Sequence, residues 1–388
     1  MASASTGSSR RIVYIAESAL PSRAANGVHV MKMCAAFAAL GHAVTLLVPA
    51  RRGESERGVG DVFAFYGVKP AFRLRRLPWL PLPGRTQIYG WMAAAAAAAA
   101  RPDLVYGRSV AGCAAAAKLG RRTILESHIP VWLARGREER YFRALVRSPA
   151  LEALVVISGA LKELYVDKGF LPAEMIRVAH DAADEPGAAP PRADWPGRPG
   201  ALQAGYAGQL HAGKGVELVA ELAGRMPETD FHVVGGDADA LRRWRARGVP
   251  PNLVMHGFVP PAGVSGCIAR FDVCLLPNRR AVRPHGRGPA LADIGEYTSP
   301  LKLFEYMAHG KAIVASDLPV LREVLHARNA VLVPPDDIEA WCGAIRRLHD
   351  PRARAAVGAR ARADFEAAYT WQRRAAAVLA GVARPVAT

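Results

Sequence analysis

YTSPLKLFEYMAHGKAIVAS, residues 297–316, spells out one helix and the strand that follows it, and the fold can be read outward from there. Ser299 is placed as an N-cap, Pro300 suits a first helical position where no intrahelical N–H is needed, and Gly310 closes the helix. AIVAS (312–316) is then a short apolar, β-branched strand. The same alternation runs the length of the chain. Upstream strands are expected at RIVYIAE (11–17), AVTLLVP (43–49), DLVYGR (103–108), RTILESH (122–128), ALVVIS (153–158) and IRVAHD (176–181). LQAGYAG (202–208), DFHVVGG (230–236), LVMHG (253–257), VCLLP (273–277) and AVLVP (330–334) continue it around the opening stretch. Apolar strands separated by helical stretches are the pattern of parallel sheets covered on both faces.

The alternation breaks at ADEPGAAPPRADWPGRPG (183–200), which is rich in Pro and Gly and has no apolar period. We therefore expect an α/β protein with two Rossmann-like, doubly wound parallel-sheet domains. The expected division is 1–182, a linker at 183–200, 201–370, and a last helix from 371 to 388 crossing back to the first domain. Ligands of such sheets bind at the carboxyl ends of the strands, so the cleft between two facing domains is the expected site.

Composition narrows the class. A chain of 388 residues that is 51% apolar and 22% charged suits two buried cores and excludes a mostly disordered protein. The net charge of +17 implies an anionic partner: nucleic acid, acidic lipid or a phosphorylated small molecule. No segment matches a nucleic-acid-binding module, and no nucleic-acid partner is expected. Cys34, Cys113, Cys267, Cys274 and Cys342 lie mostly in apolar runs without Cys-x-x-Cys spacing, which predicts a reducing compartment. MASASTGSSR at the start lacks the apolar core of a signal peptide, and the run Trp91 to Ala100 is too short for a membrane span, so a cytoplasmic location is expected.

Three places carry candidate chemistry. After the first strand, Asn26 is a plausible N-cap and Gly27 opens a helix ending at Gly41, an arrangement that can receive a phosphate or be an ordinary capped helix. QLHAGKG (209–215) follows the strand LQAGYAG and puts Gly208, Gln209 and Lys214 on a loop, where the lysine can neutralise a departing phosphate or be solvated. In the opening stretch, Lys302 and Glu305 share a face of a helix whose start is open to an anion, within reach of a nucleotide's phosphate and ribose respectively. Arg23, His29 and Lys32 stand where an acceptor would bind or form the wet face of the first helix. Asp237-Ala238-Asp239 opens a helix, where acids serve the helix dipole better than a metal.

These motifs, with VVGG (233–236), HGFV (256–259) and SPLKLFEYMAHGKAIVAS (299–316), resemble the retaining nucleotide-sugar glycosyltransferases of the GT-B fold, glycosyltransferase family four, over nearly the whole chain. The resemblance implies a metal-independent transfer of a sugar from a nucleoside diphosphate sugar, of UDP or GDP type, to a hydroxyl of a sugar, glycolipid or aglycone, with no separate cofactor. It assigns Lys214 to the diphosphate and Gly257, Phe258 and Val259 to the base. Glu305 falls on the ribose, and Thr298, Ser299, Pro300, Leu301 and Lys302 on the diphosphate and transferred sugar. Gly27 then approaches the donor, and His128 lies near the sugar. Two positions depart from the family pattern: Gln209 stands where an arginine is usual, with Lys302 or an arginine of 279–287 as substitute, and Tyr297 stands where the first of two glutamates is usual.

Rival readings are a sugar-nucleotide epimerase, a sugar phosphorylase, an inactive homologue of the same fold, and a non-enzymatic anion-binding protein. FRLRRLPWLPLPGR (72–85) interleaves arginine with large apolar residues and suits either docking on an anionic membrane surface, with a peripheral location, or an ordinary packed loop. The basic stretch 278–295 suits a loop closing over the donor or a flexible linker.

Overall fold

The computed structural model describes residues 9–51, 55–134, 136–187, 195–282 and 293–382. The chain forms two compact units, one of residues 1–157, 161–179 and 371–388, the other of 158–160 and 180–370.

Among the described residues the first unit has seven strands: β1 (Arg11–Ile15), β2 (Ala43–Pro49), β3 (Arg73–Leu77), β4 (Leu104–Gly107), β5 (Thr123–Ser127), β6 (Leu151–Val156) and β7 (Ile176–Val178). They pair in parallel in the order β3-β2-β1-β4-β5-β6-β7, with Tyr14 in register with Leu46 on one side and Tyr106 on the other. The order reverses between β1 and β4, and the loops after those strands border the crevice where such sheets take ligands. One strand was not expected. RLRRL of β3 lacks an apolar run because it pairs only with β2, at the sheet edge, and leaves Arg73, Arg75 and Arg76 exposed. The 72–85 segment is thus an edge strand followed by a short connection in which Leu80 and Leu82 are exposed.

The alanine run earns its composition by packing: in the helix Arg85–Ala99, Ala93, Ala94 and Ala97 are buried against the strands and against Ala115 and Ala116 of the next helix. The helix Ala25–Ala39 starts two residues earlier than expected. Its N-cap is Ala24 without a side-chain cap, so Asn26 lies inside the first turn instead of capping it. The helix Trp371–Leu379 packs against this same helix within the first unit.

The second unit has six described strands: β8 (Leu202–Ala207), β9 (Thr229–Val234), β10 (Leu253–Gly257), β11 (Val273–Leu276), β12 (Ala312–Ser316) and β13 (Val331–Val333). They run parallel in the order β10-β9-β8-β11-β12-β13, reversing between β8 and β11, with apolar clusters on both faces. Ala183 bridges Thr370, and Trp195 stacks on His256 at 4.5 Å, so the segment expected as a linker is tied to this unit on either side of residues 188–194, which lie outside the described residues. The helix Leu301–Ala308 has Pro300 as its N-cap residue and no side-chain cap. Ser299 does not cap it, because its hydroxyl accepts from Asp181 N at 3.0 Å. Asp237 does cap the helix Ala238–Ala246, accepting from Ala240 N at 2.7 Å, as acids at a helix start do. All five cysteines are buried and none forms a disulfide, and among the described residues no helix is long and apolar enough to cross a membrane.

Candidate active site

In the second unit the site grows from the sheet's reversal point. β8 is followed by Gly208, whose N–H donates to Val234 O at 2.8 Å, and Tyr206 donates its hydroxyl to Gln209 O at 2.6 Å, fixing the start of the loop. Arg279 N donates to Gly213 O at 2.8 Å and ties the far end of that loop to the segment after β11. The Lys302 amine reaches the loop from its helix. It lies 3.5 Å above the centre of the Tyr206 ring and beside Gly208, whose φ of +148° favours glycine. Lys302 is 7% exposed, and among the described residues its Nζ has no hydrogen-bond partner.

Burial, then the nearby charge of Lys214, pushes the Lys302 pKa well below its usual value, while Glu305 one turn away opposes the shift. Burial lowers Lys214 to about 8. Two amines brought together with too little negative charge opposite them form an anion site, since a buried ammonium is costly until it is paired. Glu305 is half-buried on the same helix. Thr298 and Ser299 are buried before it, and the Tyr297 backbone carbonyl accepts from Ser158 Oγ at 2.9 Å. Gly257 turns at φ +78° and its carbonyl accepts from Gly235 N at 2.8 Å; Phe258 and Val259 beyond it are half-buried.

In the first unit the carboxylate of Glu126 on β5 is the centre of a second cluster. Its Oε1 lies 2.8 Å from His29 Nε2, 2.6 Å from His128 Nε2 and 2.8 Å from Arg374 Nη2. The Tyr106 hydroxyl donates to Oε2. Burial alone would raise the Glu126 pKa, but Arg374 and then His29 outweigh it and hold the carboxyl well below its usual range. Burial, then Arg108, drives His128 down to about 3, so its ring is neutral at physiological pH. The ligand atoms of His29, Glu126 and His128 converge within 4.8 Å, close enough for a metal ion. The Arg374 guanidinium, however, already bonds the shared oxygen, and a dication there would face a fixed positive charge at contact distance.

The proposed acceptor trio falls into three environments. Arg23 pairs with Glu56 at 2.9 Å, Lys32 donates to Gly67 O at 3.0 Å, and His29 is buried in the Glu126 cluster. Gly27 is required by packing, because a Cβ there would come within 2.5 Å of the Tyr66 hydroxyl. Of the arginines considered as substitutes at 279–287, Arg279 bonds Asp336 at 2.9 Å, and residues 283–292 lie outside the described residues.

Sequence reading missed Glu126, Arg374 and Asn278. The acid inside the apolar run TILES was a readable signal for the first. Nothing local marked the second, whose partner is 248 positions away. Asn278 follows β11, fully buried, with neither polar atom of its amide group hydrogen-bonded among the described residues.

Two doubly wound parallel sheets in separate units, the second with a cationic site at its reversal point, define the GT-B class of glycosyltransferases. The family model described as Glycosyltransferase Family 4 matches residues 27–185 and that described as Glycosyl transferases group 1 matches residues 201–350, and the chain belongs to the family-four glycosyltransferases. It is 33% identical over 144 residues to a phosphatidyl-myo-inositol mannosyltransferase of Mycolicibacterium smegmatis, a match covering 36% of this chain and 33% of that protein. The match thus spans about a third of the curated relative's length. Sucrose-phosphate synthase of Thermosynechococcus elongatus superposes with a TM-score of 0.71 at 19% identity, covering 95% of this chain and 97% of that one. Anabaena HepE, solved in complex with UDP, gives 0.67 at 14% identity, covering 96% and 99%. At these identities the two structures establish the common fold.

Proposed function

We propose that the protein transfers a sugar, with retention and without a metal ion, from a nucleoside diphosphate sugar to a hydroxyl of a sugar, glycolipid or other aglycone. The observation that carries this reading is the buried Lys302 amine, without a hydrogen-bond partner among the described residues, beside Lys214 near the end of β8. Glu305 offsets only part of the cost of burying the Lys302 amine, and a diphosphate would supply the further negative charge. As the bond from the anomeric carbon to the diphosphate breaks, negative charge grows on the leaving oxygen, and two pre-placed ammonium groups stabilise it without reorganising. Lys302 then supplies the positive charge that Gln209 does not. Glu305, one turn along, is placed to accept from ribose hydroxyls. The name of the mycobacterial relative favours a lipid-borne acceptor, and Leu80 and Leu82, exposed beyond the arginines of β3, are a candidate surface for meeting an anionic membrane.

Thermal unfolding with a panel of nucleotides and nucleotide sugars tests the donor site. A ligand at one hundred times its Kd should add about 2.7 kcal/mol. Stabilisation by one diphosphate, lost in Lys302→Met, supports the reading, and no response to any of them defeats it. Co-sedimentation with anionic and with neutral vesicles tests the surface, which equal binding to both would rule out.

A further inference from the structure

We propose that Glu126 is the positioning residue for His128: its Oε1 holds the ring as the Nε2–H tautomer, so that Nδ1 presents a lone pair to a hydroxyl of the bound sugar, and Arg374 keeps the carboxylate in place. This rests on the reading of His128 as the sugar-side histidine. A carboxylate only accepts, so the His128 nitrogen 2.6 Å from it carries the proton, and in a neutral imidazole the other nitrogen is then an acceptor. The carboxylate itself is immobile. It is buried and bonded by Arg374 at 2.8 Å and by Tyr106, while Arg374 also donates to Ala179 O at 3.1 Å and touches Met33 Sδ at 3.2 Å. The His29 ring packs edge-on against His128 at 4.6 Å and against Trp371 at 5.3 Å, closing off rotation of the imidazole from that side.

The charged and titratable groups facing His128 are therefore Glu126, His29, Arg108 and, through the carboxylate, Arg374 and Tyr106. Burial and Arg108 keep the ring neutral, and Glu126 decides which nitrogen holds the proton. Arg374 sits on the helix Trp371–Leu379, so a residue near the end of the chain governs a ring at the end of β5.

Long-range proton–nitrogen correlation spectra of the full chain test this directly, with the His128 signals assigned by their loss in His128→Gln. At neutral pH the expected pattern is the Nε2–H tautomer, and an Nδ1–H tautomer or an imidazolium overturns the proposal. In kinetics, Glu126→Gln should lower kcat by about 10²-fold, the cost of a small misplacement at a reacting centre, while nucleoside diphosphate binding is unchanged. Arg374→Lys, which keeps the charge, should retain more kcat than Arg374→Met. A folded Glu126→Gln with the wild-type tautomer and wild-type kcat overturns the proposal; if that variant does not fold, the wild-type spectrum and the Arg374 pair decide. The two readings fail separately. A wild-type chain that transfers no sugar defeats the functional reading, whereas an active chain with the wrong tautomer defeats the positioning role alone.

Discussion

The two units carry buried charge in opposite conditions. Around Glu126 the negative charge is over-supplied with donors, because an arginine, a tyrosine and two histidines converge on one carboxylate. Around Lys302 a buried amine has an aromatic face beneath it, a second amine nearby and, among the described residues, no hydrogen bond. A completed network belongs to the folded chain and holds a shape, whereas an incomplete one stores unfavourable energy that a ligand of the right charge can release.

That contrast can be broken most severely at Arg374. Arg374→Met leaves the Glu126 charge buried without its cation and should cost about 3–5 kcal/mol of stability, read by denaturant unfolding. Lys302→Met should do the reverse, raising the melting temperature of the unliganded protein while weakening diphosphate binding. If Lys302→Met destabilises the unliganded chain, the amine is paired in solution and the contrast collapses.

Next in size, Lys214→Ala should weaken nucleoside diphosphate binding by about 1.5–3 kcal/mol, the worth of a hydrogen bond to a charged group, as measured by titration calorimetry.

Acid should act on the first unit by a smaller slope. His128 has its folded pKa depressed to about 3, so between its ordinary value and that one the unfolded chain holds a proton that the native chain does not. Stability from this group is therefore full above the ordinary histidine pKa and falls as pH drops, by at most about 1.4 kcal/mol per pH unit. Glu126, also depressed, adds a loss of the same sign further into acid. Unfolding followed against pH should show a shallower acid slope in His128→Gln than in the wild type.

The smallest effect is a proton count. Lys214 titrates near 8 in the unliganded chain, and a bound diphosphate raises that value, so binding at mildly alkaline pH should take up a fraction of a proton. Calorimetry in buffers of different ionisation enthalpy measures the uptake, and none at all would mean that Lys214 does not face the ligand.

Legibility followed the same division. The β-branched runs located every described strand of the second unit, and β12 agrees with its sequence run to the residue, because a strand covered on both faces must be apolar throughout. β3 was hidden because an uncovered edge imposes no such pattern. Lys214, Lys302 and Glu305 stood out in the sequence because capped helices and glycine loops advertise where strands end. The Glu126 cluster is assembled from β5, two helices and the hydroxyl of Tyr106, contacts between distant positions that no local period encodes. Helix starts were misplaced by two residues at Ala24 and by one at Pro300, where side chains suited to capping were left exposed or engaged elsewhere.

The return of the helix Trp371–Leu379 to the first unit bears on how the protein is made. A ribosome delivers β1 to β7 long before Arg374, and throughout that interval Glu126 lacks its guanidinium. The sheet of the first unit can collapse early, but the cluster that orients His128 cannot close until translation has passed the whole second unit. Chains that stop before Arg374 would leave the Glu126 carboxylate buried without its cation, so the helix Trp371–Leu379 completes a cluster that β5 alone cannot close.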